Sequence, residues 1–318
     1  MKVAMMFPGF GSQYVGMAKA LYDEHRIVQE YFEEASNCLD INFVKLCFAS
    51  SESELSNMRN AYTSIFLVSS SIIGLLAAKG IHPEVVAGFN QGEYAALFAA
   101  GGWTLPDGLY LLNKFAAFYQ EVLDEIDVAA IHISGITAFD LEALCFQVNS
   151  YSEDQVIIAI YETENEHIIT GGFHAIERMR DLIVQKNDNA QIEAVDLAIG
   201  LHSSLMNPVI ERYRMYLEKV DFNDLKVCML ESLNGECIEK GIRTKERVIQ
   251  RINSPIFWTK VIEGLAPYDI LIQVGPGNQL AHWAAQVYPN KHVMAINTTA
   301  DIEKLERIIE KNNDDYRN

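Results

Sequence analysis

Basic residues are in short supply in this 318-residue chain: 25 Lys and Arg stand against 43 Asp and Glu, a net charge of −18. That balance argues against a nucleic-acid or anionic membrane surface as partner, since both need positive charge to replace counterions. An acidic partner protein gains nothing from the global field and would need a local basic patch. No uncharged apolar run of eighteen residues occurs, so no membrane span is expected. The opening MKVAMMFPGFGSQ is too short and too glycine-rich for a secretion signal and reads as a core strand followed by a loop. Cysteine is sparse. Cys38, Cys47, Cys145, Cys228 and Cys237 are scattered, odd in number and without metal-ligand spacing. Buried free thiols, a reducing cytoplasmic location and no metal site are the expectation. Internal repeats and low-complexity runs are also missing.

The hydrophobic content of 49% supports a sizeable core, arranged as one large domain or a large domain with a small one. The patterns predict a strand over 2–7, renewed helical spacing over 13–23, a buried helix over 64–79, a short strand over 84–87, and helices over 90–100 and 106–124. The middle of the chain changes character. Strand-like runs over 127–136, 156–161, 167–171 and 191–197 enclose helical stretches over 139–149 and 174–185. That β-α-β-β-α-β order is the ferredoxin-like pattern, and it marks residues 126–197 as an insert between 1–125 and 198–318. A helix over 204–219 and a strand over 271–274 resume the larger unit. The charged end EKNNDDYRN is expected to fray.

The stretch AGFNQGEY (Ala87–Tyr94) has the form of a strand-to-helix nucleophile elbow, G-x-S-x-G, with Asn90 where the serine belongs. An amide nitrogen whose lone pair is delocalised cannot replace a serine hydroxyl as nucleophile, although asparagine tolerates the strained backbone of such a turn.

Five motifs then fall in one order: FPGFGSQ (7–13), GFNQGEY (88–94), LHSSLM (201–206), SPIFWTKVIEGL (254–265) and QVGPGNQL (273–280). Together they cover nearly the whole chain, which resembles the malonyl-CoA:acyl carrier protein transacylases and the acyltransferase domains of polyketide synthases. The resemblance implies a hydrolase-like α/β domain carrying a ferredoxin-like insert. It also implies ping-pong transfer of an acyl group from coenzyme A to a carrier protein of fatty acid or polyketide biosynthesis, with no bound cofactor and a monomeric state.

Carried over position by position, the resemblance gives Asn90 the nucleophile's place and His202 that of the general base. The backbone N–H of Gln91 becomes an oxyanion donor, Phe10 falls in the oxyanion loop, and the Phe257 carbonyl is expected to hold the second nitrogen of His202. Phe89 adds a ring beside the site. The arginine that grips a malonyl carboxylate falls at Ala116 or Ala117, and Lys114 is about 200° away around the helix. A buried carboxylate without its bidentate partner costs several kcal/mol, so a neutral acyl group, or none, is expected. Glu93, in the first turn of the helix after the elbow, suits the helix dipole. Gly275-Pro276-Gly277 reads as a structural turn. Three readings stay open: an acyltransferase impaired by Asn90, a non-catalytic scaffold for a carrier protein or synthase module, and a thioester hydrolase in which His202 activates water.

Overall fold

The computed structural model describes residues 1–151, 154–187 and 189–315, with side chains to residue 311. The strands are β1 (Val3–Phe7), β2 (Val85–Gly88), β3 (Val128–Ser134), β4 (Val156–Tyr161), β5 (Glu166–Gly172), β6 (Gln191–Ala194), β7 (Cys228–Leu230), β8 (Cys237–Ile238), β9 (Ile256–Phe257), β10 (Ile270–Val274) and β11 (His292–Ile296). They form two sheets, in the orders β11-β10-β1-β2-β7-β8 and β6-β3-β5-β4-β9.

The first sheet is parallel from β11 through β7, and β8 adds an antiparallel edge. Its central strands are apolar along their whole length, as a sheet covered on both faces requires. The pleat sends Met5 and Phe7 into one core and Ala4 and Met6 into another. The long helix Met58–Ala78 is buried in the first of these cores. By length and composition that helix is apolar enough to cross a bilayer, but most of it lies inside the fold.

The second sheet has the ferredoxin-like strand order. Its face packs Ile131, Ile133, Ile158 and Ile169 against the helices Ala138–Asn149 and Phe173–Lys186. Strand β9 comes from far outside this insert and pairs in parallel with β4, setting Ile256 beside Ile160 and Phe257 beside Tyr161.

Several expectations need correction. The helix expected over 13–23 begins only at Lys19, because Gly11 and Gly16 take φ of 97° and hold the preceding chain in turns. The segment after His202 opens as a 3-10 turn, Ser204–Met206, before the helix Asn207–Leu217. Cys228 and Cys237 are disulfide-paired, because the β7–β8 hairpin brings their Cα atoms to 5.5 Å. Cys38 is exposed, and Cys47 and Cys145 are buried free thiols. At the C-terminus the helix Thr299–Asp315 covers most of the segment expected to fray, and residues 316–318 lie outside the described residues.

Candidate active site

The site is built where β2 turns into the helix Gly92–Ala99. Asn90 sits at the tip with φ of 56°, the strained left-handed turn that an elbow demands. Phe89 N–H donates to the Phe7 carbonyl at 2.9 Å, tying the elbow to β1. The helix start lies so close to β1 that a Cβ on Gly92 would fall 2.1 Å from the Phe7 oxygen. Only glycine fits there, which fixes one of the motif's two glycines by sterics.

Asn90 is almost completely buried. Its Nδ2 donates to the Ile199 carbonyl, and its Oδ1 has no hydrogen-bond partner. The Ile199 carbonyl belongs to a strap, Asp196–Leu201, laid over the elbow. Tyr62 Oη donates to the Ala198 carbonyl at 2.5 Å. Tyr119 Oη donates to the Leu197 carbonyl at 3.0 Å and accepts from Leu201 N–H at 2.9 Å. Gln91 Nε2 donates to Tyr62 Oη at 3.0 Å, so the same phenol links the elbow to the strap.

His202 ends the strap with φ of 42°. Its Nδ1 lies 2.9 Å from the Arg251 carbonyl, while its Nε2 is buried without a partner. A carbonyl only accepts, so Nδ1 carries the hydrogen and Nε2 keeps its lone pair. Burial pushes the imidazole down to about 4, helped by the nearby Arg251 charge and opposed by the Arg251 and Ile199 carbonyls. Gly200 leaves room for the ring: with φ of 106°, its Cβ would stand 2.5 Å from Nε2.

Arg251 is the charged centre of the site. It is 2% exposed; its Nη1 donates to the Asn90 carbonyl at 2.6 Å and its Nε lies 2.6 Å from Glu93 Oε2. Its guanidinium also lies over the Tyr94 ring. Glu93 Oε1 accepts from the backbone N–H and hydroxyl of Ser232. Burial raises the Glu93 carboxyl, and Arg251 and Ser232 draw it back down. A cavity of about 350 Å³ reaches Ser203, beside His202, along with Thr170, Asn253, Asp127 and Asp154. Among the described residues no three His, Cys, Asp or Glu side chains stand together as metal ligands.

An elbow, a buried histidine and an α/β fold of this strand order can be compared with known proteins. The family model for the acyl transferase domain matches residues 4–301. This chain belongs to the acyl transferase domain family. Malonyl CoA-acyl carrier protein transacylase of Bacillus subtilis (strain 168) is 27% identical, over 98% of this chain and 99% of its own. The protein of that name from Haemophilus influenzae is 28% identical, over 97% and 99%. Among solved structures, malonyl CoA-acyl carrier protein transacylase from Clostridium perfringens superposes with a TM-score of 0.93 over the full length of both chains, at 23% identity. A malonyl-transacylase solved in complex with its type II polyketide synthase acyl-carrier protein gives 0.87 over 94% and 97%, at 24% identity.

In this acyl transferase domain, Arg251 links Asn90 to His202, and Gln91 reaches the strap through Tyr62. Phe10 borders them: its N–H points to Gln91 Oε1 at 3.5 Å and its ring meets Tyr62 edge-on at 6.1 Å. Phe257 does not hold His202. Its residues lie in β9 on the second sheet and its N–H donates to the Ser232 carbonyl, so the 3-10 turn Arg251–Asn253 supplies the carbonyl instead. Phe89 turns into a core cluster, edge-on to Trp258 and Trp283 at 5.4 Å each. Ala116 is buried in the core, Ala117 is exposed, and Lys114 lies over the Tyr216 ring. Glu93 is more than a dipole partner, since it neutralises Arg251. The sequence reading missed Arg251, Tyr62 and Tyr119. The one acid in the otherwise apolar helix after the elbow, Glu93, is the readable sign that a buried cation lies opposite.

Proposed function

We propose that this acyl transferase domain engages acyl thioesters of coenzyme A or of an acyl carrier protein without becoming acylated. The observation that carries this reading is the tip of the elbow: the amide of Asn90 is spent on the Ile199 carbonyl, while the Nε2 of His202 has no hydroxyl to deprotonate. Transfer in this fold needs an oxygen nucleophile at that tip. The similarity to transacylases named for malonyl-CoA and acyl carrier protein supports thioesters as the ligand class.

The acyl group we propose is neutral. The one buried guanidinium described at the elbow, Arg251, is already matched by Glu93. A malonyl carboxylate would bring a second negative charge to a single cation. Hydrolysis driven by His202 is a weaker reading, because direct attack by water forgoes the covalent intermediate that splits the reaction into two easier steps.

Intact-protein mass after incubation with malonyl-, acetyl- and longer acyl-CoA tests the reading, on the chain and on Asn90→Ser. In the serine variant Oγ would bond the acyl carbon and pass its proton to His202 Nε2, and the C–S bond would break with that proton going to the departing sulfur, releasing coenzyme A as its thiol. The chain should gain no mass and the variant should gain one acyl group, larger for neutral acyl donors. An acyl adduct on the Asn90 chain would overturn the proposal.

A further inference from the structure

We infer that Arg251 is the positioning residue of this site, a single unit that sets the elbow tip and the imidazole relative to each other. The inference rests on the reading that chemistry or ligand recognition occurs at position 90. Arg251 reaches both halves of the site through different atoms. Its guanidinium Nη1 holds the carbonyl of Asn90 at 2.6 Å, and its own carbonyl holds His202 Nδ1 at 2.9 Å. The Ile199 carbonyl also touches both, accepting from Asn90 Nδ2 and lying near the imidazole, but Arg251 alone among the described residues adds a charged donor to the elbow backbone.

The alternative is that Arg251 merely neutralises Glu93. Two features speak against it. A buried ion pair is seldom a net gain in stability, because desolvation offsets its attraction. Glu93 is also already held by two donors from Ser232. The contact to Asn90 is not required by neutralisation, yet Nη1 is spent on it. Asn90 O accepts in addition from Glu93 N–H at 3.1 Å, so the guanidinium is a second restraint on an elbow residue with positive φ. The segment bearing Arg251 is stiff: the helix Gly241–Gln250 runs directly into the 3-10 turn, and Arg251 and Ile252 are both buried. The fixed tautomer of His202 follows from the same unit, since only a carbonyl faces Nδ1.

The test compares Asn90→Ser, Asn90→Ser/Arg251→Gln and Asn90→Ser/Glu93→Gln/Arg251→Gln for the rate of acyl loading from acetyl-CoA. The triple variant removes both charges, so it should keep the fold, as checked by its melting temperature. A positioning role predicts loading slower by about 100-fold in both arginine variants, with the concentration for half-maximal rate changed little. Loading by the triple variant at the rate of Asn90→Ser would overturn the inference. Arg251→Lys in the serine background keeps the charge but has one ammonium for two partners. It should also load slowly, and it serves as the readout if the triple variant does not fold.

Should Asn90→Ser itself fail to load, the acylation reading falls and the inference is judged separately. The ring nitrogen NMR shifts of His202 are then compared in the Asn90 chain and in Glu93→Gln/Arg251→Gln. The Arg251 carbonyl stays in place in both, so the Nδ1–H tautomer should persist while the Nε2 resonance shifts with the displaced elbow; an unchanged His202 spectrum would overturn the inference.

Discussion

At the scale of single residues, the site is defined by groups left without partners: Asn90 Oδ1 and His202 Nε2 are both buried and unbonded. Ser203 Oγ and Arg251 Nη2 are buried and unbonded near the same site. His202 also makes the site a pH sensor of stability. Its folded value, about 4, lies below the ordinary imidazole value of about 6.5, so the unfolded chain binds the proton first as pH falls. The stability it contributes is therefore complete above about pH 6.5 and is lost as pH falls toward 4, a loss of about 3 kcal/mol. Urea unfolding at pH 7 and pH 5, with His202→Gln as control, checks this. The parent should lose more stability than the variant over that interval, and equal losses would count against a buried neutral imidazole.

At the scale of elements, two junctions hold the site. The first is the elbow, where the helix start touches β1. Gly92→Ala would force a methyl to 2.1 Å from the Phe7 oxygen, and backbone on both sides prevents relief. A loss of about 3 kcal/mol or more is expected in denaturant titration, or no folded protein at all. The second is the strap over the elbow. Tyr119→Phe removes the hydroxyl that bonds both Leu197 and Leu201 and strands a buried N–H at Leu201. The expected cost is about 1–3 kcal/mol, with faster hydrogen exchange at Leu201 than in the parent. Regular elements of this kind were legible in the sequence. The run VIIAIY is β4 from end to end, and the elbow's strand and helix lie within two residues of their expected bounds. The short strands β7, β8 and β9 were not legible, since two or three residues carry no periodicity. Nor can a side chain's identity reveal which backbone carbonyl will face His202; that depends on where β9 leaves for the second sheet.

At the scale of the whole molecule, the fold was readable because motifs keep their order along the chain. The pairing of side chains was not, as with Glu93 and Arg251 far apart in the chain or Cys228 and Cys237 across a hairpin too short to read. Charge is the property that composition alone does fix. With a net charge of −18, the chain would repel the acidic carrier protein proposed as its partner at long range, leaving any docking to local contacts. Screening shortens that repulsion to about 8 Å at physiological ionic strength. Binding of an acidic acyl carrier protein should therefore tighten as sodium chloride rises from low to physiological concentration, through a faster association rate, because rate is where long-range fields act. Surface plasmon resonance across that range measures both rate constants. Weakening with salt would instead locate a basic docking patch strong enough to overcome the global field, and charge reversal of candidate Lys and Arg residues would then find it.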